Sequence, residues 1–405
     1  MLTERRQNRG RRMAHLDPWT PMLLATLRKI QVGTITLTLP DGAVHRIAGP
    51  RPGPEAELHL GTPAAARSLL LRGDIGFAES YMAGDWSTPD LEKVLEIGAR
   101  NVRVLEESIR GQWWFRLAQR LLHLRRANTR KGARWNIEYH YDLGNAFYDK
   151  WLDPSMTYSS AVFADPDQPL TEAQRNKYRL IAEQLDLRPG AHVLEIGSGW
   201  GGFACYLASA HDCRVTGITL SPSQLDEATR RAAAQGLSDR VDFRLEDYRD
   251  VTGQFDAIAS IEMFEAVGEE NWPKFFRTVH DRLKPGGRAA LQIITIDNQL
   301  FERYRRHTDF IQRYVFPGGM LPSPEVLRRQ VDKAGLALTR SASYGLHYAK
   351  TLRSWTQRFK AAWHDIARLG FDDRFRRLWE FYLAYCEAGF RSSNIDVTQI
   401  RLVRA

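Results

Sequence analysis

A carboxylate followed by a cluster of glycines is the feature of this sequence with the clearest chemical meaning. Glu195 ends an apolar strand pattern, and Gly197, Gly199, Gly201 and Gly202 follow before a helix pattern begins at residue 203. Glycines let the backbone adopt positive φ and approach a ligand closely, and the first turn of a helix offers free N–H groups. This arrangement is typical of a loop that binds a nucleotide-type cofactor.

The residues after the loop narrow the choice of cofactor. A dinucleotide-binding loop also needs a carboxylate about 20 residues further on, which holds a ribose. Here the next strand, residues 214–218, runs into Thr219 and Leu220 with no carboxylate at its end. The sequence therefore favours S-adenosylmethionine (SAM), which has no phosphate, over a dinucleotide. A tight strand–helix joint without a ligand is the alternative interpretation.

The composition bounds the class of protein. With 405 residues, 43% of them hydrophobic and 11% aromatic, the chain is expected to form two globular domains. No apolar run reaches the roughly 18 residues that span a bilayer, and no signal peptide is indicated. The three cysteines, Cys205, Cys213 and Cys386, form no C-x-x-C pair. This pattern predicts neither disulfides nor a metal site and fits a cytoplasmic protein.

Positive charge is concentrated near the N-terminus. Residues 1–134 hold 22 Lys and Arg against 13 Asp and Glu, an excess of 9, whereas the remaining residues hold 35 of each. The densest clusters are residues 5–12 and 125–134, and tryptophans and leucines precede the second one. A basic, apolar segment of this kind suits an anionic membrane surface. Binding of nucleic-acid phosphates, or a solvated helix with a linker, are the alternatives.

The N-terminal part predicts a small α+β domain. Strand patterns at residues 30–39, 45–47 and 57–60 precede helical patterns at residues 63–72, 76–82 and 89–119. Residues 1–20 are expected to be disordered or weakly ordered. A polar, turn-prone stretch at residues 128–132 indicates a linker, so we expect an N-terminal lipid-docking or dimerisation domain over residues 1–127 and a catalytic domain over residues 128–405.

Strands alternate with helices from residue 192 onward. The strand patterns lie at residues 192–196, 214–219, 241–245, 257–261 and 288–294, and a last one lies at 397–403. This alternation predicts an α/β fold with a parallel, doubly wound sheet. Because ligands of such sheets bind beyond the carboxyl ends of the strands, one crevice should gather residues 197–201, 219–224, 247–249 and 262–265. Aromatic-rich helices at residues 352–369 and 375–388 suggest a pocket for an apolar substrate.

Several further segments make the pattern specific: residues 139–145, 152–159, 263–268 and 316–322, Tyr348 with Thr351, and residues 386–390. With the glycine loop, they show that the sequence resembles the SAM-dependent cyclopropane fatty acid synthase family, which includes the mycolic acid methyltransferases. The resemblance covers about residues 134–405. It implies a class I SAM methyltransferase fold, that is, a Rossmann-like doubly wound sheet with helical insertions that hold an acyl chain.

The resemblance also implies which residues contact SAM. Tyr158 and Ser159 match the positions that hold the methionine end, beside the glycine loop. The segment 219–224 matches the ribose side, and the turn 247–249 matches the adenine side. The expected SAM-binding residues are Tyr158, Ser159, Glu195, Gly197, Gly199, Trp200, Gly201, Thr219, Leu220, Gln224, Asp247, Tyr248 and Arg249. Core packing of the aromatic residues and surface polarity of Thr219 and Gln224 are the alternative interpretations.

The chemistry of the family explains what else the site needs. An alkene attacks the electrophilic methyl group of SAM, which leaves a carbocation on the acyl chain. Aromatic faces and fixed dipoles stabilise such a cation, and water must be excluded. A base then removes a proton. The resemblance implies that this base is a bound bicarbonate, held by a cysteine, a glutamate, a histidine, a tyrosine and backbone amides.

The sequence departs from that pattern. It retains Glu265 and Tyr348, but has Ser160 in place of the cysteine, Gln292 in place of the histidine, and Ala266 in place of a histidine that commonly follows the glutamate. A neutral amide donates hydrogen bonds but carries no positive charge, which puts bicarbonate in doubt beside Glu265. Either bicarbonate is still held by Ser160, Gln292, Tyr348 and backbone, or Glu265 is itself the base or orients a water.

The expected function is SAM-dependent addition of a methyl-derived carbon to the cis double bond of an unsaturated acyl chain in membrane phospholipid. Family frequency gives a slight preference for a cyclopropane product. A methyl- or methylene-branched product, as in relatives that feed furan fatty acids, is the alternative. We expect a homodimer peripherally attached to the inner face of the membrane, with neither a metal nor nucleic acid. An RNA or small-molecule methyltransferase and a non-catalytic lipid-binding protein are the competing interpretations.

Overall fold

A computed structural model of the chain describes residues 17–109 and 143–405. The two basic clusters, the expected linker at residues 128–132 and most of the segment 139–145 lie outside the described residues, as do residues 1–16. The chain divides into two compact units, residues 1–119 with 372–392 and residues 120–371 with 393–405. The expected boundary between residues 127 and 128 also lies outside the described residues.

The N-terminal unit has a small four-stranded sheet. Its strands, in the spatial order β2-β1-β3-β4, are β1 (Val32–Thr38), β2 (Val44–Ala48), β3 (Arg51–Leu60) and β4 (Trp86–Ser87). β1 is antiparallel to β2 and parallel to β3. The helices of this unit are α1 (Trp19–Leu27), α2 (Pro63–Ala83), α3 (Leu91–Arg100) and α4 (Val102–Ile109). The α+β character predicted for this part of the chain is confirmed.

Several details of the N-terminal unit differ from the sequence patterns. The described part of the helical pattern at residues 89–119 forms two helices, α3 and α4, divided at Asn101. The predicted helices at residues 63–72 and 76–82 form one kinked helix, α2, because Gly73 has a φ of +59° at the kink. α1 begins at Trp19, inside the stretch expected to be weakly ordered. Its N-terminal backbone is held by Asp17, whose carboxylate accepts hydrogen bonds from the N–H groups of Trp19 and Thr20.

The second unit contains a seven-stranded sheet. Its strands are β5 (Ala191–Ile196), β6 (Cys213–Thr219), β7 (Val241–Leu245), β8 (Phe255–Ile261), β9 (Leu283–Ile296), β10 (Leu336–Ser343) and β11 (Ile395–Arg404). The spatial order is β10-β11-β9-β8-β5-β6-β7, and β11 alone runs against the others. All six predicted strands are present. β10 was not predicted because it is a largely exposed edge strand without an apolar pattern.

Helices cover both faces of this sheet, which confirms the doubly wound arrangement. They are α5 (Asn145–Asp149), α6 (Leu170–Leu185), α7 (Gly202–Ala210), α8 (Pro222–Ala234), α9 (Trp272–Arg282), α10 (Asn298–Tyr304), α11 (Phe310–Tyr314), α12 (Pro324–Lys333) and α13 (Gly345–Ala367). Successive residues of β5 point to opposite sides, since Val193 packs in the core with α6 and α7, and Leu194 packs in the core with α9 and α12.

The last helix, α14 (Asp373–Arg391), belongs to the N-terminal unit. Its Phe381 ring lies 6.4 Å from that of Phe77, and Glu380 accepts a hydrogen bond from the hydroxyl of Tyr81 at 3.3 Å. The sequence analysis had assigned this helix to the catalytic domain and to an apolar substrate pocket. The position of an amphipathic helix in the sequence does not reveal which hydrophobic core it packs against.

The strand order identifies where a ligand of the sheet would bind. β6 lies on one side of β5 and β8 lies on the other, so the strand order changes direction at β5. At such a switch point the loops separate and open a crevice beyond the carboxyl ends of the strands. The glycine loop follows β5, and residues 262–265 follow β8. No helix among residues 17–109 and 143–405 is long and apolar enough to cross a membrane.

Candidate active site

The glycine loop is held tightly against the sheet. The N–H groups of Gly197 and Ser198 both donate to the carbonyl of Ile218 at the end of β6, at 3.0 and 2.9 Å. Gly197 has a φ of +84°, and a Cβ built on it would lie 2.7 Å from the Cγ of Met263. Only glycine fits this position without a shift of the loop. A Cβ on Gly199 would meet nothing within 4 Å, so the loop leaves space at that point.

Glu195 at the end of β5 has an oxygen available for a ligand. The residue is buried, and one carboxylate oxygen accepts a hydrogen bond from the backbone N–H of Ala204 in α7. The other oxygen, Oε2, has no hydrogen-bond partner within the described parts of the chain. Burial raises the pKa of Glu195 to about 8. A buried, unpartnered acceptor beside an open glycine turn fits a cofactor that brings a hydroxyl or ammonium donor, as SAM does.

The residues expected on the ribose side form a connected, buried turn. Thr219 donates its hydroxyl hydrogen to Oε1 of Gln224 at 2.9 Å and accepts the N–H of Ser221 at 3.2 Å. Ser221 caps α8 by accepting the N–H of Gln224. The turn is therefore shaped before any ligand arrives. Leu220 lies between these residues and is only partly buried.

The residues expected on the adenine side follow β7. Arg249 makes a two-point ion pair with Asp247, at 2.8 and 2.6 Å, and its guanidinium lies 5.7 Å from the ring centre of Tyr248. The ring of Tyr248 is buried and packs edge-on against Phe275 of α9. The two-point pair fixes the direction of both side chains at this end of the crevice.

Trp200 connects the glycine loop to the start of the unit. Its indole Nε1 donates to Oδ1 of Asn145 at 2.8 Å, and the amide of Asn145 donates to the carbonyl of Ser223 in α8. Asn145 thus joins the loop after β5 to the helix after β6. This contact explains why the segment ending at residue 145 accompanies the glycine loop in the sequence pattern.

An unbroken path of aromatic rings leads from the glycine loop into the unit. The centroid of Trp200 lies 5.1 Å from that of Tyr148, which lies 5.4 Å from that of Tyr158. Tyr158 lies 5.3 Å from Trp355, which lies 6.0 Å from Tyr348. Aromatic faces attract a cation through their quadrupoles. The path therefore places, between the loop and Tyr348, the type of side chain that the expected cation needs.

The path ends at a carboxylate that the sequence analysis had not singled out, that of Glu262. Its Oε1 accepts hydrogen bonds from the backbone N–H of Ser160 at 2.8 Å and from the amide of Gln292 at 2.7 Å. Its Oε2 accepts the hydroxyl of Tyr348 at 2.6 Å. Three residues predicted to surround an anion thus lie together, and the anion at their centre is a side chain of this chain. The hydroxyl of Ser160 points elsewhere and donates to the carbonyl of Ala161.

Glu265, the predicted catalytic carboxylate, lies beside this group with a different set of contacts. One oxygen accepts the backbone N–H of Ile294 at 2.5 Å, and the other has no hydrogen-bond partner among the described residues. Burial, together with the negative charge of Glu262, raises the pKa of Glu265 to about 8. Glu265 is therefore a carboxyl group that holds its proton at neutral pH, next to a better-stabilised carboxylate.

Lys177 of α6 places a positive charge among these acids. The side chain is fully buried, and its ammonium donates to the hydroxyl of Ser159 at 2.6 Å. Burial lowers the pKa of Lys177 to about 8, against the attraction of Glu262, Asp153 and Glu195. The same ammonium thus interacts with the carboxylate at the glycine loop and with the carboxylate at the end of the aromatic path.

A row of buried amides fixes the direction of Gln292. Gln184 of α6 donates to the side-chain oxygen of Gln399 at 3.0 Å, and Gln399 donates to the side-chain oxygen of Gln292 at 3.0 Å. Because the oxygen of Gln292 is occupied, its NH₂ group must face Glu262. Sequence patterns could not reveal this row, since its members come from α6, β9 and β11. Glu262 had one usable signal, its position directly after β8 inside the expected crevice.

Glu265→Gln tests the raised pKa of Glu265. Between its usual value of 4.5 and about 8, the folded protein binds a proton that the unfolded chain releases, so this group makes stability fall as pH rises through that window. Glutamine has no proton to lose. We expect the free energy of unfolding of E265Q, relative to the unmodified chain, to increase by about 4 kcal/mol between about pH 5 and 9. Urea unfolding at each pH measures this.

The exposed Glu270 provides the matched control for that experiment. Glu270→Gln should follow the unmodified chain at every pH, because its side chain lies at the surface. If the free energy of unfolding of E265Q changes with pH as that of the unmodified chain does, Glu265 is ionised in the folded protein and the assignment of its proton is wrong.

Comparison with known proteins gives a consistent family. Residues 128–400 match the sequence model of the family described as mycolic acid cyclopropane synthetase. The chain is 41% identical to the tuberculostearic acid methyltransferase UfaA1 of Mycobacterium tuberculosis, over 91% of this chain and 88% of that protein. It is 36% identical to the cyclopropane-fatty-acyl-phospholipid synthase of Escherichia coli K12, over 85% and 87% of the two chains.

Solved structures agree with the sequence matches. The crystal structure of the mycolic acid cyclopropane synthase CmaA1, complexed with SAH and CTAB, superposes with a TM-score of 0.63 at 31% identity. The match covers 67% of this chain and 98% of that chain. The cyclopropane synthase MmaA2 from Mycobacterium tuberculosis gives the same TM-score and coverage.

Proposed function

The chain belongs to the mycolic acid cyclopropane synthetase family of SAM-dependent methyltransferases, and we propose that it adds a methyl-derived carbon to the cis double bond of an unsaturated acyl chain in membrane phospholipid. One observation carries this proposal. The aromatic path from Trp200 to Tyr348 joins the glycine loop to the half-buried carboxylate of Glu262. An electrophilic methyl donor, a cation-stabilising surface and a base are the three parts that alkene methylation needs.

The residues of the chain divide this work between them. When bound, SAM supplies an electrophilic methyl group. The acceptor oxygen of Glu195 and the space at Gly199 suit the polar end of the cofactor. The rings of Tyr158 and Trp355 are placed to stabilise positive charge on the acyl chain. The packed aromatic surroundings keep water from capturing that charge as an alcohol.

The reactions that give a cyclopropane and a branched chain share every bond change before the loss of the proton. The alkene forms a carbon–carbon bond to the methyl group while the sulfur–carbon bond breaks and leaves its electron pair on sulfur. The neighbouring chain carbon then carries the positive charge. Loss of a proton from the new methyl group closes a cyclopropane or, after a hydride shift along the chain, gives a methylene branch. Loss of a proton from the chain gives a methyl-branched alkene.

A branched product is the outcome that we favour. The 41% identity to a protein named tuberculostearic acid methyltransferase supports a branched product. The replacement of the expected cysteine and histidine by Ser160 and Gln292, which changes the surroundings of the base, also supports it. A cyclopropane product is the second candidate, supported by the 36% identity to a cyclopropane-fatty-acyl-phospholipid synthase. The sequence analysis had preferred the cyclopropane on family frequency alone.

We also propose that the substrate is a phospholipid and that the enzyme acts at a membrane surface. The excess of 9 positive charges within residues 1–134 supports attraction to anionic lipid headgroups. Attachment to the inner face of the membrane, and assembly as a homodimer, remain predictions of the resemblance. An acyl chain that stays in its bilayer needs an enzyme at the surface, which is the role that the basic segment would serve.

Methyl-deuterated SAM distinguishes the products. We expect label to enter the acyl chains of unsaturated anionic phospholipid vesicles, measured by mass spectrometry after incubation with the enzyme. Retention of two deuterium atoms means ring closure or a methylene branch, which NMR then separates. Retention of three means that the proton left the chain.

Parallel incubations with free fatty acid and with tRNA test the substrate class. Label in tRNA, or in neither lipid, would contradict the acyl-chain assignment. Label in free fatty acid but not in vesicles would remove phospholipid from the proposal while keeping the chemistry.

A further inference from the structure

We propose that the carboxylate of Glu262 occupies the place that bicarbonate has in the related cyclopropane synthases, and that it is the general base of this enzyme, which therefore works without bicarbonate. The inference rests on the proposed function for the reaction that the base serves. It concerns the one part of the site where the residues present do not fit the group that the resemblance implies.

The hydrogen-bond donors that bicarbonate would need already bind two carboxyl groups of this chain. Bicarbonate was expected to bind Ser160, Gln292, Tyr348 and backbone amides. Three of these positions donate to Glu262 instead, at 2.8, 2.7 and 2.6 Å, and the backbone N–H of Ile294 donates to Glu265. A carboxylate has the same planar O–C–O arrangement as bicarbonate and accepts from the same directions. A second anion at this point would meet two carboxyl groups and no free donor among these four.

The backbone is bent to bring this side chain in. Glu262 has a φ of +51°, in the left-handed region that residues other than glycine rarely adopt. Such conformations cost free energy and persist where the surrounding structure requires them, most often at functional sites. The N–H of Glu262 donates to the carbonyl of Gln292 at 2.9 Å, so the bend is held at the same residue that binds its carboxylate.

The row of three glutamines orients Gln292 so that the group it binds must be a hydrogen-bond acceptor. Gln184 and Gln399 orient Gln292 so that only its NH₂ group can face Glu262. All three glutamines are buried, and exchange of the ends of one amide would place two acceptors or two donors together. Gln399 and Gln184 are therefore positioning residues, which act on Glu262 through Gln292.

The contacts of the two acids favour the ionised form at Glu262. Burial raises the pKa of both acids, but three hydrogen-bond donors and the charge of Lys177 oppose that rise at Glu262, whereas Glu265 accepts one backbone N–H and is repelled by Glu262. We therefore assign a proton shared between the two acids to Glu265. Glu262 is then free to accept one proton from the cationic acyl chain. The electrons of that C–H bond form the double bond of a branched product or the last ring bond of a cyclopropane, and the proton later returns to water.

Two variants of Glu262 make the test sharp. Glu262→Gly removes the carboxylate, suits the positive φ and leaves a space lined by donors. Glu262→Gln removes the charge but fills the space. We expect both to lower the rate of label transfer from SAM to vesicle lipid by about 10²–10⁴-fold, the usual contribution of a general base. Millimolar bicarbonate should restore at least about a tenth of the activity to E262G and none to E262Q.

The unmodified enzyme should be indifferent to bicarbonate. Its rate in carbonate-free buffer under argon should equal its rate with bicarbonate added. Glu270→Gln, with an exposed side chain, should match it under both conditions. A rate that falls on removal of bicarbonate and recovers on its return would overturn the proposal.

Binding measurements give a readout that does not depend on turnover. Bicarbonate should raise the melting temperature of E262G and broaden the ¹³C signal of labelled bicarbonate, with no effect on the unmodified chain or E262Q. SAM affinity by calorimetry should be similar in all three, since Glu262 is not among the residues assigned to the cofactor. Bicarbonate binding to the unmodified chain, or full activity of E262Q, would show that Glu262 is not the base.

These outcomes separate the inference from the proposed function. If no variant labels lipid and the unmodified chain is also inactive, the proposed substrate is wrong. The bicarbonate binding of E262G would still report whether Glu262 fills an anion site.

Discussion

We expect the free energy of unfolding of the unmodified chain to rise by about 3 kcal/mol relative to that of Lys177→Met between about pH 8 and 10.5. Methionine has nearly the volume of lysine, so packing in α6 is retained. The effect is electrostatic, because burial lowers the pKa of Lys177 to about 8, and the attraction of Glu262, Asp153 and Glu195 offsets this only in part. Urea unfolding of the ligand-free protein measures it.

The pH window of that difference identifies its cause. Below about pH 8 the ammonium of Lys177 is protonated in both the folded and the unfolded chain, and burial keeps Glu195 largely neutral. The difference between K177M and the unmodified chain should therefore stay nearly constant from about pH 5 to 8 and change only above about pH 8. Lys274→Met is the matched control, since Lys274 is exposed on α9, and it should change stability by less than about 0.5 kcal/mol. If K177M and the unmodified chain stay parallel above about pH 8, Lys177 contributes only through packing.

Lys177 illustrates what a sequence pattern cannot show. A lysine in an amphipathic helix is normally at the surface, and nothing in residues 170–185 marks this one as buried. Its partners come from β5, from the loop after α5 and from the end of β8, so its role exists only once the sheet is assembled. In contrast, the sheet itself was predictable, because alternation of strands and helices depends on local periodicity alone.

The group around Glu262 was predictable in its surroundings but not at its centre. The resemblance named Ser160, Gln292 and Tyr348 together, and the structure brings these three residues to the carboxylate of Glu262. The resemblance also named Glu265, because the family pattern has a glutamate there and an external anion beside it. The left-handed backbone at Glu262, with a φ of +51°, departs from a regular continuation of β8. No periodicity argument predicts such a conformation for a glutamate.

The departures at residues 160 and 292 become understandable together with Glu262. A side-chain carboxylate brings a negative charge that cannot dissociate, so a nearby histidine cation is no longer required to attract an anion. A neutral amide, oriented by Gln399, is then sufficient to hold the carboxylate in one direction. The positive charge that attracts Glu262 is supplied by Lys177.

Gly197→Ala is expected to weaken SAM binding by about 100-fold, or about 2.7 kcal/mol, as measured by calorimetry. Two effects act at this position. The φ of +84° is unfavourable for alanine, and its Cβ would lie 2.7 and 2.8 Å from two carbons of Met263. The loop must therefore move away from the end of β8, and its hydrogen bonds to Ile218 are lost with the shape that receives the cofactor.

Two further variants separate the backbone effect from the contact. Gly253 has a similar φ, +81°, but a Cβ there would meet nothing within 4 Å. Gly253→Ala should therefore lower stability by about 1 kcal/mol and leave SAM affinity unchanged. Met263→Gly removes both atoms that the new Cβ would strike, so the double variant G197A/M263G should regain about tenfold in affinity over G197A. If it regains nothing, the backbone conformation alone sets the requirement for glycine, and the contact with Met263 does not.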